Sequence, residues 1–302
     1  MNILVVSGFL GAGKTTFIRM LSEKTGKSFA VMENEYGETG IDGALLQQDR
    51  LKVWELTEGC ICCSLKSDFA SSILTIANTL DPEYLVVEPT GVGLLSAVMR
   101  NIGKIEYERI RLLEPLTIVD VHCVEDYLQK FGDIYADQIK STPRIILSKI
   151  ERTAAEERRR ITALLRALNP HAEIVDTPYQ NQPEDWWHNL FKNPHHKKNA
   201  AGLPEEEYDL NLETVSFTGF TIDTVTELLE LSVAMMRGSF GAVYRVKGFV
   251  PIGEQWTRFD IVDRQYTVAV CAPMPKSKAV IIGERLDRNR LRTVFHRAQR
   301  LR

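Results

Sequence analysis

No apolar run in this chain approaches the ~18–20 residues needed to span a bilayer, so a membrane-spanning protein is not expected. The opening Met1-Asn2-Ile3-Leu4-Val5-Val6 lacks the basic stretch and cleavage site of a secretory leader. An excess of one charge is also missing. Lys and Arg number 37 against 40 Asp and Glu, a net charge of −3, which gives no electrostatic case for holding a nucleic-acid backbone or an anionic membrane. Internal repeats and low-complexity tracts are absent. Cysteine is scarce, with five in 302 residues, and three of those crowd into Cys60-Ile61-Cys62-Cys63. Neighbouring cysteines in an unsecreted chain are poor disulfide material and good metal ligands, so a reduced, cytoplasmic protein is expected. What is present is ordinary globular material, 44% hydrophobic and 25% charged, enough for a core and, at roughly 150 residues per domain, about two domains.

The first half alternates short apolar runs with helical patterns. Ile3–Val6, Tyr84–Val87, Leu116–Val119 and Arg144–Leu147 are nearly continuous apolar runs, as strands buried on both faces of a parallel sheet should be. Further strands are expected near Phe29–Met32 and Lys52–Leu56, and helices over Lys14–Glu23, Lys66–Asn78 and Thr153–Leu168. The pattern predicts an α/β domain with a doubly wound, mostly parallel sheet over residues 1–180. Residues 181–210, with Pro183, Pro194, Pro204 and the run Glu205-Glu206-Glu207, have no sustained period and are expected to form a linker. Residues 211–302 are strand-rich, bracketed by helices over Thr221–Met236 and Asp287–Arg300, and predict a smaller α+β domain.

Gly8-Phe9-Leu10-Gly11-Ala12-Gly13-Lys14-Thr15 fits G-x-x-x-x-G-K-[ST] between an apolar strand and a helical pattern. Glycines at Gly8, Gly11 and Gly13 let the backbone, Ala12 included, turn its N–H groups around phosphates, and the helix start adds its positive end. Lys14 is expected to reach the β- and γ-phosphates and Thr15 to ligate Mg²⁺. Val86-Val87-Glu88-Pro89-Thr90-Gly91 places a carboxylate at a strand end, where ligands sit in open α/β sheets. Glu88 is a candidate for holding Mg²⁺ or positioning water, and Gly91 for meeting the γ-phosphate; a strand-end Glu of no special role is the alternative. Ser148-Lys149-Ile150-Glu151 stands where a guanine-reading N-K-x-D would fall. Lys149 and Glu151 can serve the base, but serine replaces asparagine and glutamate is a methylene too long, so a polar strand-to-helix turn stays open.

Three thiols in four residues, Cys60, Cys62 and Cys63, can converge on a soft or borderline cation if the backbone folds tightly there. Zn²⁺, Co²⁺ and Cu⁺ accept thiolates, whereas Mg²⁺ and Ca²⁺ do not. Three ligands leave a fourth position open, which suits exchange of metal; a redox dithiol is the rival reading. Candidates for further ligands are the acidic segment Glu33-Asn34-Glu35-Tyr36-Gly37-Glu38, where a nucleotide switch would lie, and His122, which follows an apolar strand and is otherwise a hydrogen-bonded surface residue. Cys123 and Cys271 are expected to be buried, inert thiols.

Taken in order, the P-loop running through Thr15 and Thr16, Asn34-Glu35-Tyr36-Gly37, Cys60-x-Cys62-Cys63 and Glu88-Pro89-Thr90-Gly91 resemble the CobW-type GTPases. Lys247-Gly248-Phe249-Val250 and Val280-Ile281-Ile282-Gly283 look like that family's C-terminal domain. The resemblance implies a P-loop GTPase domain that couples GTP hydrolysis to delivery of zinc or cobalt, with Mg²⁺ as cofactor and the Cys-x-Cys-Cys motif as metal ligand. It assigns nucleotide or catalytic roles to Lys14, Thr15, Glu88 and Gly91 and places Glu35 and Asp42 in the switch segment, as further candidate metal ligands. Partners implied are GTP or GDP and a client metalloprotein or corrinoid protein; a homodimer is open. The alternative within this picture is a GTP-dependent regulator of assembly or reactivation of a cobalamin or corrinoid enzyme.

Overall fold

The computed structural model describes residues 1–34, 52–56, 66–195, 213–262 and 265–296. These fall into two compact units that divide between residues 195 and 213. The first runs β1 (Asn2–Gly8), α1 (Lys14–Thr25), β2 (Ala30–Asn34), β3 (Lys52–Leu56), α2 (Lys66–Thr79), β4 (Tyr84–Glu88), α3 (Leu95–Gly103), β5 (Arg111–Leu112), β6 (Leu116–Asp120), α4 (Val124–Lys140), β7 (Arg144–Ser148), α5 (Ala155–Leu168), β8 (Glu173–Val175) and α6 (Glu184–Asn189). Its sheet is ordered β3-β2-β4-β1-β6-β7-β8, with β5 also beside β1. Every described pairing in it is parallel.

The near-continuous apolar strands have the expected cause. Alternate residues point to opposite faces, and both faces are covered. Leu4, Val6, Val31, Val86, Ile118 and Ile146 join one core cluster, while Ile3, Val5, Ala30, Met32, Leu85 and Val87 join the other. The doubly wound, mostly parallel sheet expected from the sequence is therefore what forms.

Residues 184–189, inside the stretch expected as linker, are helical in α6. Trp187 on α6 is fully buried, and with Leu190 and Phe191 it belongs to the core cluster containing Phe17 of α1. The Pro- and His-bearing composition hid a short helix whose apolar content is one Trp pair. His195 donates its backbone N–H to the Leu112 carbonyl, 2.8 Å, so this segment is tied back to the sheet.

The second unit is an antiparallel sheet ordered β12-β11-β10-β13-β9, from β9 (Glu213–Thr218), β10 (Ala242–Ile252), β11 (Gln255–Val262), β12 (Gln265–Cys271) and β13 (Lys278–Glu284). Helices α7 (Val225–Met236) and α8 (Arg288–His296) supply Leu228, Met235, Leu291 and Phe295 to a core with Phe217, Val246, Phe259 and Ile281. Thr224 caps α7, its hydroxyl accepting from the Glu227 N–H at 3.1 Å. Among the described residues no helix is long and apolar enough to cross a membrane.

Candidate functional site

The site is built at the carboxyl edge of the parallel sheet. β1 ends at Gly8, whose φ of 145° lies in the region that favours glycine; a Cβ there would stand 2.4 Å from the Ile118 carbonyl oxygen of β6. No other residue lets the two strands approach and the chain then turn. Gly11 and Gly13, at φ 71° and 98°, carry the loop round to α1, which Gly13 caps. Lys14 is only 5% exposed and folds over its own loop, its Nζ donating to the carbonyls of Gly8 (2.9 Å) and Phe9 (3.4 Å). Phosphate oxygens would replace those acceptors. Thr16 sits one residue beyond Thr15 and is exposed.

Glu88, at the end of β4, meets the side chains of both Lys14 and Thr15. Its Oε1 lies 3.9 Å from Lys14 Nζ, and both carboxylate oxygens lie 3.3 Å from the Thr15 hydroxyl, which donates to them. Converging hydroxyl and carboxylate oxygens form the hard donor set that Mg²⁺ prefers, so the residues present fit that ion. Gly91 is seated directly on the P-loop: a Cβ would be 2.7 Å from Leu10 N and 3.0 Å from the Phe9 carbonyl carbon.

The Ser148-Lys149-Ile150-Glu151 segment is held by contacts of its own. The Ser148 hydroxyl donates to the Ala12 carbonyl at 2.7 Å and lies 3.3 Å from that of Val119, binding the end of β7 to the P-loop. Lys149 takes a left-handed φ of 60°, an unusual conformation for a non-glycine residue and one that clusters at functional sites. Its Nζ pairs with Asp120 Oδ2 at 2.7 Å. Glu151 Oε1 accepts from Gln180 Nε2 at 2.8 Å. His122 is exposed. Its backbone N–H donates to Asp120 Oδ1 at 3.0 Å, its Nε2 lies 3.2 Å from the Lys149 carbonyl, and its Nδ1 is 4.0 Å from Glu157. These are the neighbours of a residue in the Lys149 turn.

Two carboxylates beyond Glu88 share this edge. Asp120 is 5% and Glu33 3% exposed, and Glu33 stands in register with Glu88 across the β2–β4 pair. Asp120 closes an apolar strand and Glu33 follows the apolar run of β2 one residue before its end, much the signal that singled out Glu88 in the sequence. Cys60, Cys62, Cys63, Glu35 and Asp42 lie outside the described residues. Among the described residues no group of three or more His, Cys, Asp and Glu is placed to hold a metal.

Cys123 and Cys271 are half-buried rather than buried. Burial, reinforced by the Asp120 carboxylate, pushes the Cys123 thiol up to about 12, and burial also raises that of Cys271, so both stay protonated at neutral pH.

A strand–loop–helix cradle closed by Lys14, Thr15 and a strand-end Glu88 defines a P-loop nucleotide-binding domain. Family comparison agrees and narrows the class. The profile described as "CobW/HypB/UreG, nucleotide-binding domain" matches residues 2–176, and "Cobalamin synthesis protein cobW C-terminal domain" matches residues 217–299. The chain belongs to the CobW/HypB/UreG family of P-loop GTPases. It is 26% identical to Zinc chaperone YjiA of Escherichia coli K12, over 97% of both chains, and 26% identical to Zinc chaperone CobW of Pseudomonas aeruginosa, over 97% of this chain and 91% of that one. A solved structure titled Zn(II)-bound YjiA GTPase from E. coli aligns over 99% of this chain and 98% of the other with TM-score 0.46 and 22% identity.

Proposed function

We propose that this protein is a GTP-hydrolysing metallochaperone that binds a thiophilic metal, zinc in the first place, at Cys60, Cys62 and Cys63 and passes it to a client protein. The observation that carries the reading is the convergence of Lys14, Thr15 and Glu88 at the carboxyl edge of the sheet. β3 ends at Leu56, in register with Asn34 of β2, at that same edge, and the three cysteines follow it in the sequence.

In this reading Lys14 and the P-loop N–H groups hold the β- and γ-phosphates. Thr15 and Glu88 would hold Mg²⁺, whose role is to neutralise charge that develops on the phosphoryl oxygens. Glu88 also orients the attacking water, and Gly91 meets the γ-phosphate. Ser148 fixes the P-loop to the base side, where Lys149 and Glu151 favour guanine. Residues 1–180 carry the nucleotide chemistry, and residues 211–302 supply a client-facing domain.

Phosphoryl transfer and metal release are then linked through the strand ends, as GTPase switches order segments by γ-phosphate contacts and release them on hydrolysis. Coupling is reciprocal, and a typical strength changes affinity about 5–150-fold. Zinc affinity measured with GDP and with a non-hydrolysable GTP analogue should differ within that range. Replacing Cys62 and Cys63 with Ser should remove tight zinc binding and leave nucleotide binding of the metal-free protein intact. Identical zinc affinities in the two nucleotide states would sink the chaperone mechanism. Zinc that stays bound through repeated turnover with client and chelator present would do the same.

A further inference from the structure

We propose that Gln138 of α4 is a positioning residue for the loop after Glu88, and that it sets how strongly the site distinguishes a nucleoside triphosphate from a diphosphate. The inference rests on the reading of Gly91 as the residue that meets the γ-phosphate.

Gln138 is 1% exposed, and its Nε2 donates to two carbonyls of that loop, Gly91 at 3.0 Å and Gly93 at 2.9 Å. The two acceptors fix which way round the amide sits, because its oxygen would be repelled there. The helix is itself held in place at this point: the Thr117 hydroxyl of β6 donates to the Gln138 carbonyl at 2.8 Å. One residue earlier, Asp137 Oδ2 accepts from the Ser96 N–H at 3.0 Å, in the first turn of α3 where the same loop ends. The other Asp137 oxygen accepts from the Ser141 hydroxyl at 3.1 Å. α4 therefore holds the loop at its middle and where it runs into α3.

On its opposite side Gly91 lies against the Phe9–Leu10 backbone, so it is caught between the P-loop and Gln138. The first half of α4 touches the P-loop as well. Tyr127 and Phe131 place their rings 4.7 and 4.6 Å from that of Phe9. One helix thus contacts both segments that face the phosphates.

A buried amide costs free energy unless it is hydrogen-bonded, and an apolar side chain would pack this space without that cost. The loop has a reason to need the amide. Gly91 and Gly93 give it more conformational freedom than other residues would, and a ligand that must order a loop binds more weakly by the fraction of time the loop is out of place. Gln138 removes that loss in advance, and only for a ligand that reaches Gly91.

The test is titration of Gln138→Met, which keeps length and removes the donor, with GDP and with a non-hydrolysable GTP analogue in Mg²⁺. GDP affinity should stay within about twofold, and analogue affinity should fall about tenfold, inside the usual range of such couplings. Equal weakening of both nucleotides would make Gln138 a merely structural residue and overturn the proposal, as would no change. If Gln138→Met does not fold, Asp137→Ala should show the same one-sided loss at about threefold, and its absence overturns the proposal. Gly91→Ala run in parallel separates the two levels. An unchanged analogue-to-GDP ratio there overturns the reading of Gly91 itself. A changed ratio there with an unchanged one in Gln138→Met overturns only the clamp.

Discussion

Nucleotide preference and tolerance of pH can each be tested at single side chains. Glu151 is a methylene longer than the aspartate of a usual guanine-reading motif, and Gln180 holds its carboxylate from outside. Removing a charged hydrogen-bonding group is worth about 1.5–3 kcal/mol. Glu151→Ala should therefore lower the preference for GTP over ATP roughly 10–150-fold, read as the ratio of the two dissociation constants. A ratio that does not move would mean that Glu151 belongs to a plain turn. At high pH several groups raised by burial are relevant, Tyr135 and Cys271 among them, and Cys123 and Tyr179 show the effect most plainly. Burial, with the nearby Asp120 carboxylate, raises the Cys123 thiol from 9.0 to about 12, and burial, with nearby Glu151, raises Tyr179 from 10.0 to about 12. Both are acids whose folded pKa exceeds the unfolded one, so between those values the unfolded chain has lost protons that the folded chain keeps. Stability is then complete below pH 9 and falls as pH rises from 9 towards 12. Thermal melts from pH 7 to 11 should show that decline, and Cys123→Ala should flatten its lower part. At this scale the sequence was readable where a residue type announces chemistry in a fixed string, as Lys14 and Thr15 do. Asp120 and Glu33 were no less visible as acids at or next to the ends of apolar strands, but nothing in a single string says that parallel register sets Glu33 opposite Glu88. Gln138 carried no signal, because a glutamine within a helical pattern becomes a loop clamp only when the fold delivers Gly91 and Gly93 to it.

Among the elements, the parallel strands were the most legible, because burial on both faces leaves an uninterrupted apolar run. α1 and α2 fall within two residues of the expected Lys14–Glu23 and Lys66–Asn78. α6 was not legible. It is too short for a periodic pattern to register, and its formation depends on Trp187 finding Phe17 and Tyr179. α4 is the element whose irregularity matters most. Gly132 interrupts it with φ 33° and ψ −106°, between the half that carries Phe131 and the half that carries Gln138. A Cβ at Gly132 would touch nothing within 4 Å, so the cost of substitution lies in the backbone alone. Gly132→Ala should destabilise the fold by about 1–3 kcal/mol. The urea midpoint should fall at unchanged slope. No loss of stability would show that the break is not imposed by the packing on either side of it.

For the whole molecule, the position of α6 sets where the nucleotide domain can be cut. A chain ended at residue 195 keeps Trp187, Leu190, Phe191 and the His195-to-Leu112 backbone bond. It should fold and bind GDP with the affinity of the full chain while losing client activation. A chain ended at residue 180 removes a fully buried tryptophan and two further core residues. Losing one such side chain costs about 3–5 kcal/mol, a large share of a typical domain's 5–15 kcal/mol, so that fragment should not yield a cooperative melt. Thermal denaturation of the two fragments decides it. Equal melting behaviour would show that α6 is dispensable to the domain.

Trp187 also has an optical consequence. Its indole is sealed from water and lies 5.2 Å, centroid to centroid, from the Phe17 ring, three residues into the helix that Lys14 begins. The adjacent Trp186 ring stands perpendicular to it at 5.1 Å. The emission of Trp187 is therefore that of a chromophore in a dry, rigid setting, and its wavelength is set by atoms coupled to the start of α1. Any shift of that helix when phosphate enters the loop alters the field and the quenching at the indole. A change in Trp187 emission on adding GDP would then report P-loop occupancy from within the wild-type chain.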